Sequence, residues 1–423
     1  MSKTLPQWLE YLESIHPSAI DMGLDRVNEV AQRLNLRFDS RVITVGGTNG
    51  KGTTSALIEN ALLLEGRSVG VYSSPHLLDY RERVRINGAL PDAAAFCDAF
   101  EQVEKARGDI SLTYFEFGTL AAMLMLMAAE LDVVVLEVGL GGRLDAVNVL
   151  DADFAILTSV DIDHVAFLGD NREVIGFEKA GVLRPGIPSV YADSDPPRSV
   201  LQQATAQKVE LALLGRDYEL VTEQQAGDDA PAVELRHKGQ AIRLPAGPLP
   251  IKSVAAAVVA IRELEPNLPV PVIEQVLSGL SVPGRFERVG SAPDIFLDVG
   301  HNPHAAGWLS GQLSQLKSPG RRVHGVYGAL ADKDVAGVGR AMVDVVDAWY
   351  LAGLKVPRGL SGQDLQARLS DSGIHATAFE SVREGLVSAL AVADPNDLVV
   401  VFGSFFTVAE GREILLAGKV AGS

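Results

Sequence analysis

The sequence predicts an α/β protein of two domains, 1–286 and 287–423, each built around a mostly parallel sheet. Three observations predict it. Short apolar runs alternate with helical patterns along most of the chain. That rhythm is interrupted at "SVPGRFERVG" (281–290) by Pro283-Gly284 and then restarts. The length of 423 residues also exceeds what one hydrophobic core usually serves.

The first forty residues read as helices. Trp8, Leu9, Leu12 and Ile15 share one face, and Val27, Val30 and Leu34 repeat the spacing. Strand-like runs follow at Val42–Val45, Ser68–Tyr72, Val133–Val138, Phe154–Ser159 and Ser189–Tyr191, with a buried helix at 117–129. The polar, alternating stretch 221–244 reads as a small β-ribbon or surface excursion. The Ala/Val-rich 253–264 reads as a buried helix. In the second domain "DIFLDVG", "RRVHGVYGAL", "DAWYLAGL" and "LVVVFGSFF" are four strand-like runs with helical segments between them.

Composition narrows the function. Lys and Arg number 37 against 54 Asp and Glu, a formal charge of −17, which argues against a nucleic-acid or anionic-membrane partner. Cys97 is the only cysteine, so no intrachain disulfide can form. The N-terminus "MSKTLPQWLEYLE" lacks a signal-peptide core, and the apolar window Phe117–Ala129 is too short to span a bilayer. A cytoplasmic monomer is expected.

Chemistry first shows at "VITVGGTNGKGTT". An apolar strand breaks into a glycine-rich loop and a helix begins at the lysine, the layout of a phosphate cradle. Gly47, Gly50 and Gly52 free the backbone to turn its N–H groups inward, and Lys51 can reach the terminal phosphates. Thr53 or Thr54 can offer a hydroxyl to Mg²⁺. The competing use of such a turn is tight packing. Gly52 is unusual, because the common phosphate loop places Ser or Thr directly after the lysine.

Other strand ends point the same way. Val133 to Leu136 deliver Glu137 to a strand terminus, where a buried carboxylate needs a cation; a solvated strand-end Glu is the alternative. Ser73-Ser74-Pro75-His76 ends another strand, followed by Arg81, Arg83 and Arg85, which suit anions or form a solvated face. "VDIDH" brings Asp161, Asp163 and His164. "LDVGHNPHAAG" sets Asp298, His301, Asn302 and His304 at a strand-to-helix turn, where open α/β sheets take ligands. Arg285 lies on the connection between the domains.

Taken together, "GGTNGKGTT", "YSSPHLLDYRERVRING", "LTYFEFGTLAA", "LEVGLGGRLDAVN", "DIDH", "EKAGV", "PGRFE" and "LDVGHNPHAA" resemble the folylpolyglutamate synthase/dihydrofolate synthase family, related to the Mur peptide ligases. The likeness runs in order over nearly the whole chain, and Gly52 is that family's own form of the loop. It implies a phosphate-loop ATP-binding domain plus a Rossmann-like C-terminal domain, the Mur ligase-like arrangement. It implies ATP with two Mg²⁺ ions, in the family's manner, and ligation of L-glutamate to dihydropteroate and to folates through an acyl phosphate.

The resemblance also implies residue roles. Gly47, Thr48, Asn49, Gly50, Lys51, Gly52 and Thr53 would hold the nucleotide, with Arg285 and Asp298 contacting it from the linker and second domain. Ser253 stands where the family commonly has Asn as a nucleotide contact. Thr53, Ser74, Glu137 and His164 would ligate Mg²⁺. Lys179 matches a lysine that family members carbamylate, and His301 would lie near glutamate or the acyl phosphate. Asp21, Met22, Arg83, Thr113, Tyr114, Phe115, Glu116, Leu144, Asp145 and Ala146 would line the pterin pocket. A Mur-like peptide ligase and a phosphate-loop switch NTPase or kinase are the rival readings. "IDMGLDR", "LTYFEFG" and Gly52 disfavour the first. The second lacks a guanine-reading strand, "ADKD" at 331–334 being only a near match.

Overall fold

The computed structural model describes residues 3–222, 233–244 and 247–420. The chain divides into two units, one of Met1–Ile162 with Leu168–Leu280, the other of Ser281–Ser423 with the short segment Asp163–Phe167. The seam falls at Leu280–Ser281, at the start of the Pro-Gly stretch.

The first unit holds a seven-stranded sheet of β1 (Arg41–Gly46), β2 (Val69–Tyr72), β3 (Val84–Ile86), β4 (Val133–Glu137), β5 (Phe154–Leu157), β6 (Pro188–Tyr191) and β7 (Glu210–Leu213). Their order is β3-β2-β4-β1-β5-β6-β7, parallel except for β3, which runs antiparallel to β2 at the edge. Burial on both faces explains the near-continuous apolar runs that made the central strands visible.

Side-chain alternation sorts the strands between two cores. Val42, Val134, Leu136, Ala155 and Leu157 face one, packed with Phe100 and Val103 of helix Ala93–Arg107 and Phe117 and Leu120 of helix Tyr114–Ala128. Trp8 and Leu12 of helix Leu5–Ser14 and Val27 and Val30 of helix Asp25–Arg33 join that core. Ile43, Val45, Val133, Val135, Phe154 and Ile156 face the other, against helices Lys51–Leu64 and Ile251–Leu264. Each such fully buried branched or aromatic side chain contributes roughly 1.5–3 kcal/mol. The layers therefore hold the carboxyl ends of β2, β4, β1 and β5 in one row.

The expected β-ribbon is a three-stranded antiparallel sheet of β8 (Tyr218–Thr222), β9 (Val233–His237) and β10 (Gln240–Leu244). Its part at 223–232 lies outside the described residues.

The second unit has a sheet of β11 (Glu287–Gly290), β12 (Asp294–Asp298), β13 (Val323–Tyr327), β14 (Ala348–Ala352), β15 (Ala376–Phe379) and β16 (Leu398–Phe402). Their order is β11-β12-β16-β13-β14-β15, with only β11 antiparallel. Six strands replace the four expected; β11 and β15 are the two edges. Among the described residues, no helix is long and apolar enough to cross a membrane.

Candidate active site

In the first unit, β1 runs into the loop that precedes helix Lys51–Leu64. Gly47 has φ +142° and Gly50 φ +91°, the left-handed region that glycine enters without strain. Space is as limiting as torsion. A Cβ on Gly47 would stand 1.9 Å from Thr158 Oγ1, and one on Gly50 would stand 2.1 Å from Ser253 Oγ.

The loop is stitched to the segment after β5. Thr48 N donates to Ser159 O at 2.8 Å, and Asn49 N to Ser159 Oγ at 3.1 Å. The Thr48 hydroxyl accepts from Asp161 N at 3.0 Å and donates to Asp161 O at 3.2 Å. Asp161, left without a role by the sequence, thus serves the loop through its backbone. Lys51 Nζ folds back over the cradle, donating to Gly47 O at 3.0 Å and Thr48 O at 3.3 Å.

The two threonines separate cleanly. Thr54 Oγ1 donates to Ser253 O at 3.4 Å. Thr53 Oγ1 is buried with no protein hydrogen-bond partner, and a buried hydroxyl oxygen left so calls for an outside one. Glu137, 4% exposed, ends β4 in register with Val45 of β1, while Tyr72 at the end of β2 is in register with Leu136. Ser74 follows two residues after Tyr72. Ser74 and Glu137 therefore stand just past and at the ends of the adjacent strands β2 and β4, and Thr53 lies in the first turn of the helix that follows the next strand, β1. Hydroxyl and carboxylate oxygens suit a hard divalent cation, so these residues fit Mg²⁺. Among the described residues no group of three or more His, Cys, Asp or Glu is placed to hold a metal.

The Ser73-Ser74 tip is braced from both sides. Ser73 N donates to Arg83 O at 2.9 Å. Arg85 pairs with buried Glu59 at 2.8 Å and donates to Ser73 Oγ at 3.3 Å. Arg81 is taken up by Asp79 at 2.7 Å. Arg83 is held among aromatic rings instead. It lies over the rings of Tyr80 and Tyr114, at 5.1 and 5.6 Å, and its Nε donates to His76 Nδ1 at 2.9 Å. Burial, then the Arg83 charge, pushes the His76 pKa down to about 4.

The expected pterin residues gather near the turn after β4. A Cβ on Gly139 would meet Phe115 Cζ at 2.5 Å, and one on Gly141 would meet Met22 Cε at 3.5 Å. Asp145 is buried and accepts from Leu140 N and Val147 N, and burial raises its pKa to about 6. Thr113 caps helix Tyr114–Ala128 with Glu116 in a reciprocal capping box. Glu116 also pairs with Arg26 at 2.8 Å, and Arg26 with Asp21 at 2.8 Å, so those two carboxylates are engaged in structure. Leu144 and Ala146 flank Asp145. Lys179, 4% exposed, lies in the last turn of helix Arg172–Ala180. Arg143 N donates to Glu178 O at 2.8 Å, which brings that turn against the same loop.

In the second unit, Asp298 at the end of β12 accepts from Phe286 N at 2.9 Å and Gly300 N at 2.8 Å. Burial raises its pKa. Arg285 lies over the Phe405 ring at 5.1 Å. His301 Nε2 and Asn302 Nδ2 both reach Asp163 Oδ2 at 3.2 Å, and Lys333 Nζ reaches Asp163 Oδ1 at 2.6 Å. Burial alone would raise the Asp163 carboxyl. The His301 bond and the charges of His301 and Lys333 instead hold it well below the usual carboxylate range. His164 has φ +52°, a left-handed backbone rarely adopted without glycine, and belongs to this unit.

Residues 45–229 match the Mur ligase middle domain, and 284–405 match the Mur ligase glutamate ligase domain. The dihydrofolate synthase/folylpolyglutamate synthase of Escherichia coli K12 is 42% identical over 421 residues, covering 99% of this chain and 97% of that one. The chain belongs to that family. It is accordingly a ligase of the dihydrofolate synthase/folylpolyglutamate synthase class, with the Mur ligase fold. A solved E. coli FolC, in complex with DHPP and ADP, aligns with the ligase at a TM-score of 0.93 and 40% identity over 99% of both chains. The bifunctional enzyme of Yersinia pestis CO92, complexed with AMPPNP and Mn ion, aligns at 0.90 and 43% over 98% of both.

Three functional-site features of the ligase escaped the sequence. Thr158 and Ser159 carry no motif signal, yet they hold the phosphate loop. Lys333 was visible only in "ADKD", which was weighed as a guanine-reading element.

Proposed function

We propose that the chain adds L-glutamate to dihydropteroate and to folates, with ATP activating the acceptor carboxylate. The observation that carries the assignment is the orphaned Thr53 hydroxyl in the helix that opens from a glycine-built phosphate cradle, taken with the buried Glu137 at the end of the strand beside β1.

Backbone N–H groups from Gly47 to Thr53 and the Lys51 ammonium cradle and neutralise the ATP phosphates, with Ser253 beside Gly50. Thr53, Ser74, Glu137 and His164 supply the ligands for Mg²⁺, which when bound offsets charge on the phosphates. A carbamylated Lys179 would add one more carboxylate there. Met22, Phe115, Leu144 and Ala146 present apolar surface to the flat pterin ring, and Arg83 and Asp145 provide polar contacts. Asp21, Thr113, Tyr114 and Glu116 shape the wall of that pocket. Arg285 and Asp298 act on the nucleotide, and His301 on the amino acid or acyl phosphate.

A carboxylate oxygen of the acceptor attacks the γ-phosphorus, the bond to ADP breaks, and an acyl phosphate forms. The α-amine of glutamate then attacks the acyl carbon, phosphate leaves with the bonding pair, and the amine nitrogen gives up a proton. Phosphate is the leaving group that a bare carboxylate lacks. The enzyme is proposed to act as a cytoplasmic monomer.

The test is product analysis. ADP and phosphate release should require both glutamate and dihydropteroate or a folate, and labelled glutamate should appear in amide linkage. Steady ATP hydrolysis indifferent to both acceptors would overturn the assignment.

A further inference from the structure

Arg83 is 9% exposed, yet among the described residues it makes no ion pair. The other two arginines of its segment are both matched, Arg81 by Asp79 and Arg85 by Glu59. Glu82, next to it in the chain, spends its carboxylate on the backbone N–H groups of Leu77, Leu78 and Asp79. Tyr80 and Tyr114 offer Arg83 their ring faces, but burial raises both phenols, so neither ionises to supply a charge. A guanidinium keeps its proton in a protein, and a buried charge without a counter-charge is costly. Cation–π contacts return only part of that cost. The arrangement calls for an anion from a ligand.

Two contacts fix where that anion would sit. Ser73 N donates to Arg83 O at 2.9 Å, which keeps Arg83 level with the strand tip that carries Ser74. His76 Nδ1 accepts from Arg83 Nε at 2.9 Å. With Nε taken, the terminal nitrogens still present N–H groups in one plane, the shape that suits a carboxylate.

We propose that Arg83 seats the carboxylate of dihydropteroate, the one anionic group of that acceptor at neutral pH, and that His76 is a positioning residue that holds the guanidinium by its Nε. The inference rests on the ligase assignment and narrows the polar contact given there to Arg83. Arg83 forms and breaks no bond; it holds the nucleophile beside the strand tip that offers Ser74.

Equilibrium binding to the full-length enzyme tests this without turnover. Dihydropteroate is compared with its carboxamide, which keeps the shape and loses the charge. Arg83→Met should weaken dihydropteroate about tenfold or more, the scale of one charge-assisted contact. It should leave the carboxamide within about twofold of wild type. Equal weakening of both ligands would overturn the proposal, because Arg83 would then only shape the wall. An equal rise in Kd for ATP would overturn it too, by giving the anion to the nucleotide. His76→Phe keeps a ring and removes the acceptor, so it should weaken dihydropteroate by about threefold or more. His76→Asn, whose Oδ1 can replace Nδ1, should recover most of that loss. In the Arg83→Met background His76→Phe should add less than about twofold; additive losses would strip His76 of its role. The unfolding midpoint of unliganded Arg83→Met should not fall, and a fall with equal weakening of both ligands would mark the arginine as structural. Should Arg83→Met fail to fold, Arg83→Lys decides: a loss confined to dihydropteroate supports the proposal and a loss shared by the carboxamide overturns it. Wild-type enzyme that does not join glutamate to dihydropteroate would defeat the ligase assignment instead, which keeps the two failures apart.

Discussion

Glu137 stands opposite Val45 in the parallel register of β4 and β1, and the phosphate loop leaves β1 one residue beyond Val45. The carboxylate is thereby set at the mouth of the cradle by sheet geometry. Glu137→Gln preserves volume and removes charge. The Mg²⁺ concentration for half-maximal activity should rise about tenfold or more. An unchanged metal requirement in a magnesium titration would remove Glu137 from the ligand set.

Lys51→Ala should lower turnover by about a hundredfold or more while leaving the fold intact. The loop's shape rests on glycine torsions and on backbone bonds to Ser159 and Asp161, whereas Lys51 adds charge above it. Steady-state rates beside a thermal melt check both halves. Retained turnover would withdraw the phosphate role.

Gly50→Ala should cost about 1–2 kcal/mol from torsion and displace Ser253, whose Oγ stands 2.1 Å from the new Cβ. Adding Ser253→Gly removes the clash and leaves the torsional strain. The double variant should therefore melt above Gly50→Ala but below wild type. Identical melting of the two variants would show that Ser253 yields freely.

Asp145 gives stability a pH dependence of defined sign. Its carboxyl goes from an ordinary 3.8 to about 6 on burial, so between those values the folded chain holds a proton that the unfolded chain has released. This contribution is full below pH 4 and is lost as pH rises toward 6, a fall of about 3 kcal/mol. Asp145→Asn should abolish that part of the slope in denaturant melts taken from pH 4 to 7. Equal slopes in both proteins would contradict the raised value.

Intact-mass analysis of the native enzyme should show one added carbon dioxide, lost on acidification and absent from Lys179→Gln. A wholly unmodified mass in an active preparation would exclude carbamylation of Lys179.

The interior of both sheets was legible because β1, β4, β5, β13 and β16 are short apolar runs covered on both faces. The edges were not. β3, β7, β11 and β15 pair on one side only and carry exposed or half-exposed residues, so no unbroken apolar run marks them. The site divides in the same way. Residues at strand ends, such as Glu137, Ser74 and Asp298, announce themselves by following an apolar run. The Asp163–Lys333 pair does not, since 170 positions separate the partners and nothing local in either segment names the other.

Asp163–Phe167 clusters with the second unit although it follows β5 of the first. A single cut at Leu280–Ser281 would therefore not yield two self-sufficient modules. A fragment beginning at Ser281 would leave the Lys333 counter-ion behind on the other piece, with an enclosed ammonium facing no opposite charge. Recombinant work on the C-terminal third alone should meet poor folding, and adding back the missing pentapeptide by fusion is the remedy that the topology suggests.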